Sequence, residues 1–306
     1  MKLAGLLAFG ALAAALIAVP ARADCLTETQ DGHHDAAGRA VASVFVNDQG
    51  PFRFVVDTGA NRSVLSTELA RRLGITPFGV GQVHSVTDIR VAPLARVRSL
   101  RFGVVNLANA ELPLIDGPML AGEQGMLGFD SMSGRRLLMD FKTHCVEVLD
   151  AATAPALPNW HRVEGELRFS SMMVARGRIQ GVGVNVLIDT GSDVSLCNPA
   201  FREAMGRVRA RVINYRGDRA FTAGRPIVLD DAVWTPRIYL GASASVSNVM
   251  AYVGQFHIFD LWGLSDQPTV LVGMDVIASS DAMAIDYSKS TIYFRRAPRR
   301  PWSAAH

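Results

Sequence analysis

The chain has 306 residues, of which 49% are hydrophobic, 8% aromatic and 19% charged, with 27 glycines and 14 prolines. That balance excludes wholesale disorder, a collagen-like fibre and a coiled coil, and the length allows about two domains of roughly 150 residues. Its 31 Lys and Arg against 28 Asp and Glu give a formal +3, without the basic surplus that grips nucleic acid.

The chain opens with Lys2, an apolar run from Leu3 to Val19, then Pro20 and the small-residue stretch Ala21-Arg22-Ala23. This is the plan of a secretory signal peptide, predicted over 1–23. The rival is an uncleaved inner-membrane anchor, although Pro20 breaks the helix just before the cleavage site. Asp24 stands before Cys25 where a lipid-attachment site takes a small residue. Cleavage near Ala23 leaves a nearly neutral protein, expected to be exported to the periplasm or secreted and without stable membrane insertion. Three cysteines follow, Cys25, Cys145 and Cys197. A Cys25–Cys145 bridge and three unpaired thiols both stay open. His33-His34, beside Asp31 and Asp35, reads as a solvated loop, and no cysteine pair has zinc-ligand spacing. No metal and no cofactor are expected.

From Ala40 one plan is used twice. Ala40–Val46 alternates as a strand, Asn47-Asp48-Gln49-Gly50 turns the chain, and Phe52–Val56 is an apolar strand running into Asp57-Thr58-Gly59. Ser66 then caps a short helix that is expected to stop at Gly74. Met126-Leu127-Gly128-Phe129-Asp130 and the pair Asp140-Phe141 follow, and Lys142–Leu149 reads as part of a closing hairpin. Residues 151–160, rich in Ala and Pro, form a linker between lobes predicted over 24–150 and 161–306.

The second half repeats the order at an offset of 132 residues. Met172–Ile179 is a strand, a glycine turn follows, and Val184–Ile188 runs into Asp189-Thr190-Gly191. Asn198 takes the place of Ser66, Pro199 opens the helix where its missing N–H is harmless, and Gly206 is the expected stop. Leu271-Val272-Gly273-Met274-Asp275 and Asp286-Tyr287 repeat the closing signature. Strands dominate and helices are short, so the predicted class is all-β in two pseudo-twofold-related barrel lobes with a cleft between them.

Each D-T-G aspartate follows an apolar strand, where a buried carboxylate must be paired, hydrogen-bonded or protonated. Two in matched surroundings suggest turns that face each other. Carboxylates about 3 Å apart do not both ionise, so they share a proton. The ionised one then draws a proton from water while the other supports a carbonyl oxygen under attack. Gly59 and Gly191 permit the tight turn, and Thr58 and Thr190 offer hydroxyls across the pseudo-dyad. Ser192 is placed to bond the outer oxygen of Asp189, whereas Ala60 has no side-chain donor for Asp57, so the two carboxylates are expected to be unequal.

The paired D-T-G turns, each followed by an apolar-apolar-Gly element, resemble the aspartic peptidases of the pepsin and retropepsin clan. The short helices and lobes of about 130 to 145 residues look most like bacterial, exported, single-chain retropepsin-like proteases. The resemblance runs roughly from Ala40 to Phe294 and implies Asp57 and Asp189 as the catalytic pair and Thr58 and Thr190 as interlocking threonines. It also implies an extended polypeptide as substrate and a monomer as the working unit. The clan covers its cleft with a flap hairpin. The candidates are His84–Pro93, turning near Thr87-Asp88 with Val86 beside it, and Tyr215–Thr222, turning near Gly217-Asp218. The roughly 16 residues between Ala23 and the first strand are too few for a large inhibitory prosegment.

Gln255–Gln267 has no first-lobe equivalent of its length. It reads either as a rim loop shaping specificity or as a surface insertion whose Phe256, Phe259 and Trp262 pack on the lobe. Arg295, Arg296, Arg299 and Arg300 form a basic tail, expected to be solvated. Asp130, Asp140, Asp275 and Asp286 are expected to be structural caps and Asx-turns. Two functions remain: an aspartic endopeptidase, or an inactive two-lobed peptide-binding scaffold of the cell envelope. The intact aspartates and threonines favour the enzyme.

Overall fold

A computed structural model describes residues 35, 38–117, 120–169, 171–208, 211–220 and 227–295, with backbone alone for 211–220 and 227–230. The predicted signal peptide, Cys25, His33-His34 and the tail from Arg296 lie outside the described residues. No helix among the described residues is long and apolar enough to cross a membrane.

The protein is mostly β, with two closed six-strand barrels and a few short helices. In the first lobe, β1 (Val41–Val46) and β2 (Gln49–Val56) form a hairpin. Its two loop residues, Asn47 and Asp48, both take positive φ, the backbone that a tight hairpin turn demands and that Asn and Asp tolerate. β3 (Val64–Ser66), β4 (Pro77–His84), β5 (Ile89–Phe102), β6 (Val105–Ile115) and β7 (Gly125–Leu127) follow. The barrel order is β1-β2-β7-β3-β6-β5, closed by β5 on β1, and β4 extends outward as a hairpin with β5.

After α2 (Phe129–Met132), β8 (Arg135–Asp140) and β9 (Cys145–Asp150), the chain reaches β10 (His161–Arg168) and repeats the plan. The second barrel uses β11 (Met172–Ile179), β12 (Val182–Ile188), β13 (Ser195–Cys197), β15 (Ile227–Leu240), β16 (Ala244–Val253) and β17 (Thr269–Val272). Its order is β11-β12-β17-β13-β16-β15, closed by β15 on β11, with β14 (Arg211–Ala220) as the outlying hairpin strand.

The two helices after the D-T-G turns are capped as expected. Ser66 Oγ accepts from Leu69 N at the start of α1 (Thr67–Arg72), and Asn198 Oδ1 accepts from Phe201 N at the start of α3 (Pro199–Gly206). The stops differ from each other. Gly74 has φ +65 beyond α1, but Gly206 is the last residue of α3 and Arg207 caps it in a right-handed conformation. A glycine at a helix end is therefore not always its left-handed cap.

The closing hairpins do more than end their lobes. β18 (Ala282–Asp286) pairs antiparallel with β8, with Ala284 opposite Leu138. The sheet runs β10-β19-β18-β8-β9, where β19 is Thr291–Arg295, so it joins the two halves. Arg136 reaches across it to Asp286 at 2.8 Å, and Arg295 reaches across to Asp140. Arg295 therefore belongs to this sheet and not to a solvated tail. Asp140 also accepts from the backbone N–H of Lys142 and Thr143, and Asp286 from Lys289 N, the Asx-turn arrangement expected. Burial acts to raise the Asp286 carboxyl, but hydrogen bonds from Ser288 and Arg136 outweigh it and hold the group below its ordinary range. Cys145 is disulfide-bonded, which sets aside three unpaired thiols, while Cys197 is a free, buried thiol. The other end of the expected Cys25–Cys145 bridge lies outside the described residues.

Candidate active site

The apolar-apolar-Gly elements seat the D-T-G turns. β2 runs parallel to β7, and β12 parallel to β17. Asp57 N donates to Leu127 O and Asp189 N to Val272 O, at 3.0 and 3.1 Å. Gly128 and Gly273 pass against the opposite side of each turn. A Cβ on Gly128 would stand 2.5 Å from the backbone carbon of Arg62, and one on Gly273 2.5 Å from the carbonyl of Val194. Ser63 and Ser195 complete the frame. Each hydroxyl accepts from the glycine N–H and donates to the following aspartate, Asp130 or Asp275. These aspartates are structural, as expected.

The two turns interlock. Thr58 N donates to Thr190 Oγ1 at 3.1 Å and Thr190 N to Thr58 Oγ1 at 3.0 Å. Each hydroxyl donates in turn to the opposite strand: Thr58 to Ile188 O at 2.8 Å and Thr190 to Val56 O at 2.7 Å. Both threonines are fully buried, so four polar groups are satisfied without water. The carboxyls of Asp57 and Asp189 come close enough to act on each other's titration. Each packs on the other turn's glycine: an added Cβ would lie 2.7 Å from Asp189 Cγ at Gly59 and 2.2 Å from Asp57 Cγ at Gly191. No residue with a side chain fits at either place.

The pair is unequal, for reasons other than those expected. Ser192 turns its hydroxyl to Val194 O and leaves Asp189 alone. Ala60 contributes through its backbone: Asp57 Oδ1 accepts from both Gly59 N and Ala60 N, whereas among the described residues Asp189 Oδ1 accepts a backbone N–H from Gly191 alone. Burial raises both carboxyls, and hydrogen bonding partly offsets it at Asp57. At Asp189 burial and then the Asp57 charge push the group well above the usual carboxylate range. Both groups are thus pushed toward the protonated form, Asp189 further than Asp57.

Two further residues border the pair. Tyr287 is buried, its hydroxyl within reach of the pair's charges and without a hydrogen-bond partner among the described residues. Burial first, then the charges of Asp57 and Asp189, push that hydroxyl far up its scale. Arg39, ahead of β1, donates from Nη1 to Gly191 O at 3.2 Å. Sequence reasoning passed over Arg39, because a single arginine before a strand carries no motif.

Above the pair lies a cavity of about 470 Å³ between the lobes. Its first-lobe wall includes Val64, Ile115 and Met126, and its second-lobe wall Phe169, Trp262 and Leu271. Trp262 stacks on Phe169 with ring centroids 5.3 Å apart. The Gln255–Gln267 segment packs on its lobe and also reaches the cavity. Phe256 and Phe259 are buried in the lobe, while Ile258, Leu261 and Trp262 face the cavity. They lie on or just after α4 (His257–Leu261).

The β4–β5 hairpin roofs the cavity. Its turn is Ser85–Asp88, tied by Ser85 Oγ donating to Asp88 Oδ1 at 2.8 Å, so Val86, Thr87 and Asp88 sit at its tip. The tip reaches the other lobe: Ile258 N donates to Val86 O at 3.3 Å, and the rings of His84 and His257 stack. The second candidate differs from expectation. Gly217 and Asp218 are not a turn. β14 continues to Ala220, Asp218 is paired with Leu229, and a register shift between Asn214 and Asp218 takes up the extra residues. Residues 221–226 and the Tyr215 side chain lie outside the described residues.

Residues 42–131 match the family model described as aspartyl protease. None of the curated proteins compared matches the chain. That match across the first D-T-G lobe, with a second lobe built on the same closed six-strand plan, supports a retropepsin-like aspartic protease.

Proposed function

We propose that this protein is an aspartic endopeptidase that hydrolyses peptide bonds in an extended polypeptide, using a water activated between Asp57 and Asp189. The observation that carries the reading is the interlocked pair of turns, which brings the two aspartates together under a roofed cleft. Asp57 takes a proton as the water oxygen bonds to the peptide carbonyl carbon, and Asp189 donates to the carbonyl oxygen. The resulting gem-diol collapses, the C–N bond breaks, and the amide nitrogen leaves with a proton returned from the pair. No covalent link to the protein forms.

The apolar walls favour bulky apolar side chains on either side of the scissile bond, and an extended strand under the β4–β5 roof suits β-type hydrogen bonding. One chain brings both aspartates, so a monomer suffices. Export is supported by the pattern of residues 1–23 and by a disulfide at Cys145, which belongs to an oxidising compartment. The test is incubation with a mixed peptide library from pH 4 to 7 beside Asp57→Asn and Asp189→Asn. Cleavage by the parent and by neither variant is expected; equal cleavage by either variant sinks the reading.

A further inference from the structure

We propose that Arg39 is a positioning residue of this centre: a buried cation that ties the second D-T-G turn to the segment ahead of β1 and sets the charge balance beneath both aspartates. The inference rests on the reading of Asp57 and Asp189 as the catalytic pair.

Arg39 is 4% exposed and Asp35 is 7% exposed. Nε of Arg39 donates to Asp35 Oδ2 at 2.7 Å, and its backbone N–H donates to Asp35 Oδ1 at 2.8 Å. The backbone closes the same loop, with Asp35 N donating to Arg39 O at 3.0 Å. A buried ion pair contributes little net stability over well-packed apolar residues, because both charges lose their hydration. Stability alone therefore gives little reason for this pair.

Its placement gives a better one. Gly191, which accepts from Arg39, also donates its N–H to Asp189 and abuts the Asp57 carboxyl. A single guanidinium thus links Asp35 of the first lobe to the loop that carries Asp189. The pseudo-symmetry does not require it, since the position 132 residues on is Ser171. The acidic groups facing this cation are Asp35, Asp57, Asp189 and Asp193, and the Tyr287 hydroxyl also senses the pair. The positive charge favours the ionised forms of Asp57, Asp189 and Asp193. Without it, burial would push both carboxyls higher and the singly charged state would persist to higher pH.

The experiment compares the full chain with Arg39→Lys, Arg39→Met and the double variant Asp35→Asn/Arg39→Met, which leaves no unpaired buried carboxylate. Two readouts are taken: the pH profile of kcat/KM on a peptide the parent cleaves, and the carboxyl carbon resonances of Asp57 and Asp189 against pH. In the double variant, kcat is expected to fall about tenfold or more. Its whole profile and both carboxyl titrations should move up by roughly half a pH unit or more, the low side of what a nearby opposite charge exerts. Arg39→Lys should return the profile toward the parent position. A folded double variant with parental kcat and parental titrations overturns the proposal, and so does one that does not fold, since the pair would then serve the fold and not the site. If the parent cleaves nothing, the proteolytic reading fails, while the carboxyl titrations still decide what the Arg39 charge does.

Discussion

His84, at the end of β4, and His257, at the start of α4, stack across the cleft with Nδ1 and Nε2 3.2 Å apart. One ring nitrogen donates to the other, so this contact between lobes holds the roof down beside the Ile258-to-Val86 hydrogen bond. His257→Ala should leave only the backbone contact and loosen the hairpin. Faster amide exchange is expected from Val80 to Ala92, with the barrel strands unchanged. Parental protection in the hairpin would show that the stack is not what holds it.

The threonine interlock supports both the fold and the site. Removing either hydroxyl strands a buried N–H on the opposite turn and a buried carbonyl on the opposite strand. Thr58→Ala and Thr190→Ala should each cost about 1–3 kcal/mol, the usual penalty of an unsatisfied buried group. Urea unfolding followed by circular dichroism reads this directly. A loss within error for both would mean that the turns are held by packing alone.

The carboxyl pair makes a stability prediction with a definite sign. Asp189 is raised well above its ordinary value in the folded state, so the folded protein holds a proton that the unfolded chain releases. That contribution is fully present below the unfolded carboxylate value and is lost as pH rises through the raised one. Asp189→Asn, neutral throughout, should therefore melt higher than the parent at pH 7, with the gap narrowing toward pH 4. Activity should respond oppositely, falling by about a hundredfold or more for a lost general acid. A parental melting curve at both pH values would contradict the assignment of the proton to Asp189.

Trp262 gives the second-lobe wall its width. Trp262→Ala removes the ring stacked on Phe169 and should lower kcat/KM about tenfold for substrates with bulky apolar side chains, with less effect on small ones. Steady-state kinetics on a peptide series varied one position at a time would measure it. A uniform loss across the series would instead indicate a disturbed lobe.

Arg136 and Asp286 form a buried pair across the joining sheet. Arg136→Met removes the near cation from Asp286 and leaves it Lys289 at 4.0 Å and the Ser288 hydroxyl, at a cost of about 1–3 kcal/mol for the lost charged hydrogen bonds. Denaturant midpoints of the parent, Arg136→Met and Arg136→Met/Asp286→Asn should show the double variant recovering most of that loss.

The repeat made much of this visible beforehand. A strand, turn, strand, D-T-G and cap recur at one fixed spacing, and local sequence settles each of those pieces. The apolar-apolar-Gly elements were recognisable too, although only the parallel pairing of β2 with β7 explains why a glycine must follow. What stayed hidden depends on contacts between distant segments. Arg39 meets Gly191 across 152 positions, and His84 meets His257 across 173; neither is in a pattern a linear reading detects. Ser192 illustrates the reverse case: its residue type suggested a bond to Asp189, but the nearer Val194 carbonyl takes the hydroxyl. Gly217-Asp218 looked like a turn because the dipeptide often is one, yet a bulge within a long strand uses the same residues.

The central sheet has a consequence for how such a molecule could be divided. β8 and β18 each have one flank that is covered only when the other half arrives, and they meet antiparallel around an approximate twofold axis. A fragment carrying one half alone would present that flank as an open edge, ready to accept a second copy of itself in the same antiparallel manner. Joining the halves in one polypeptide makes that meeting independent of concentration. It also frees each half to specialise, with the flap tip on one side and α4 with its tryptophan on the other.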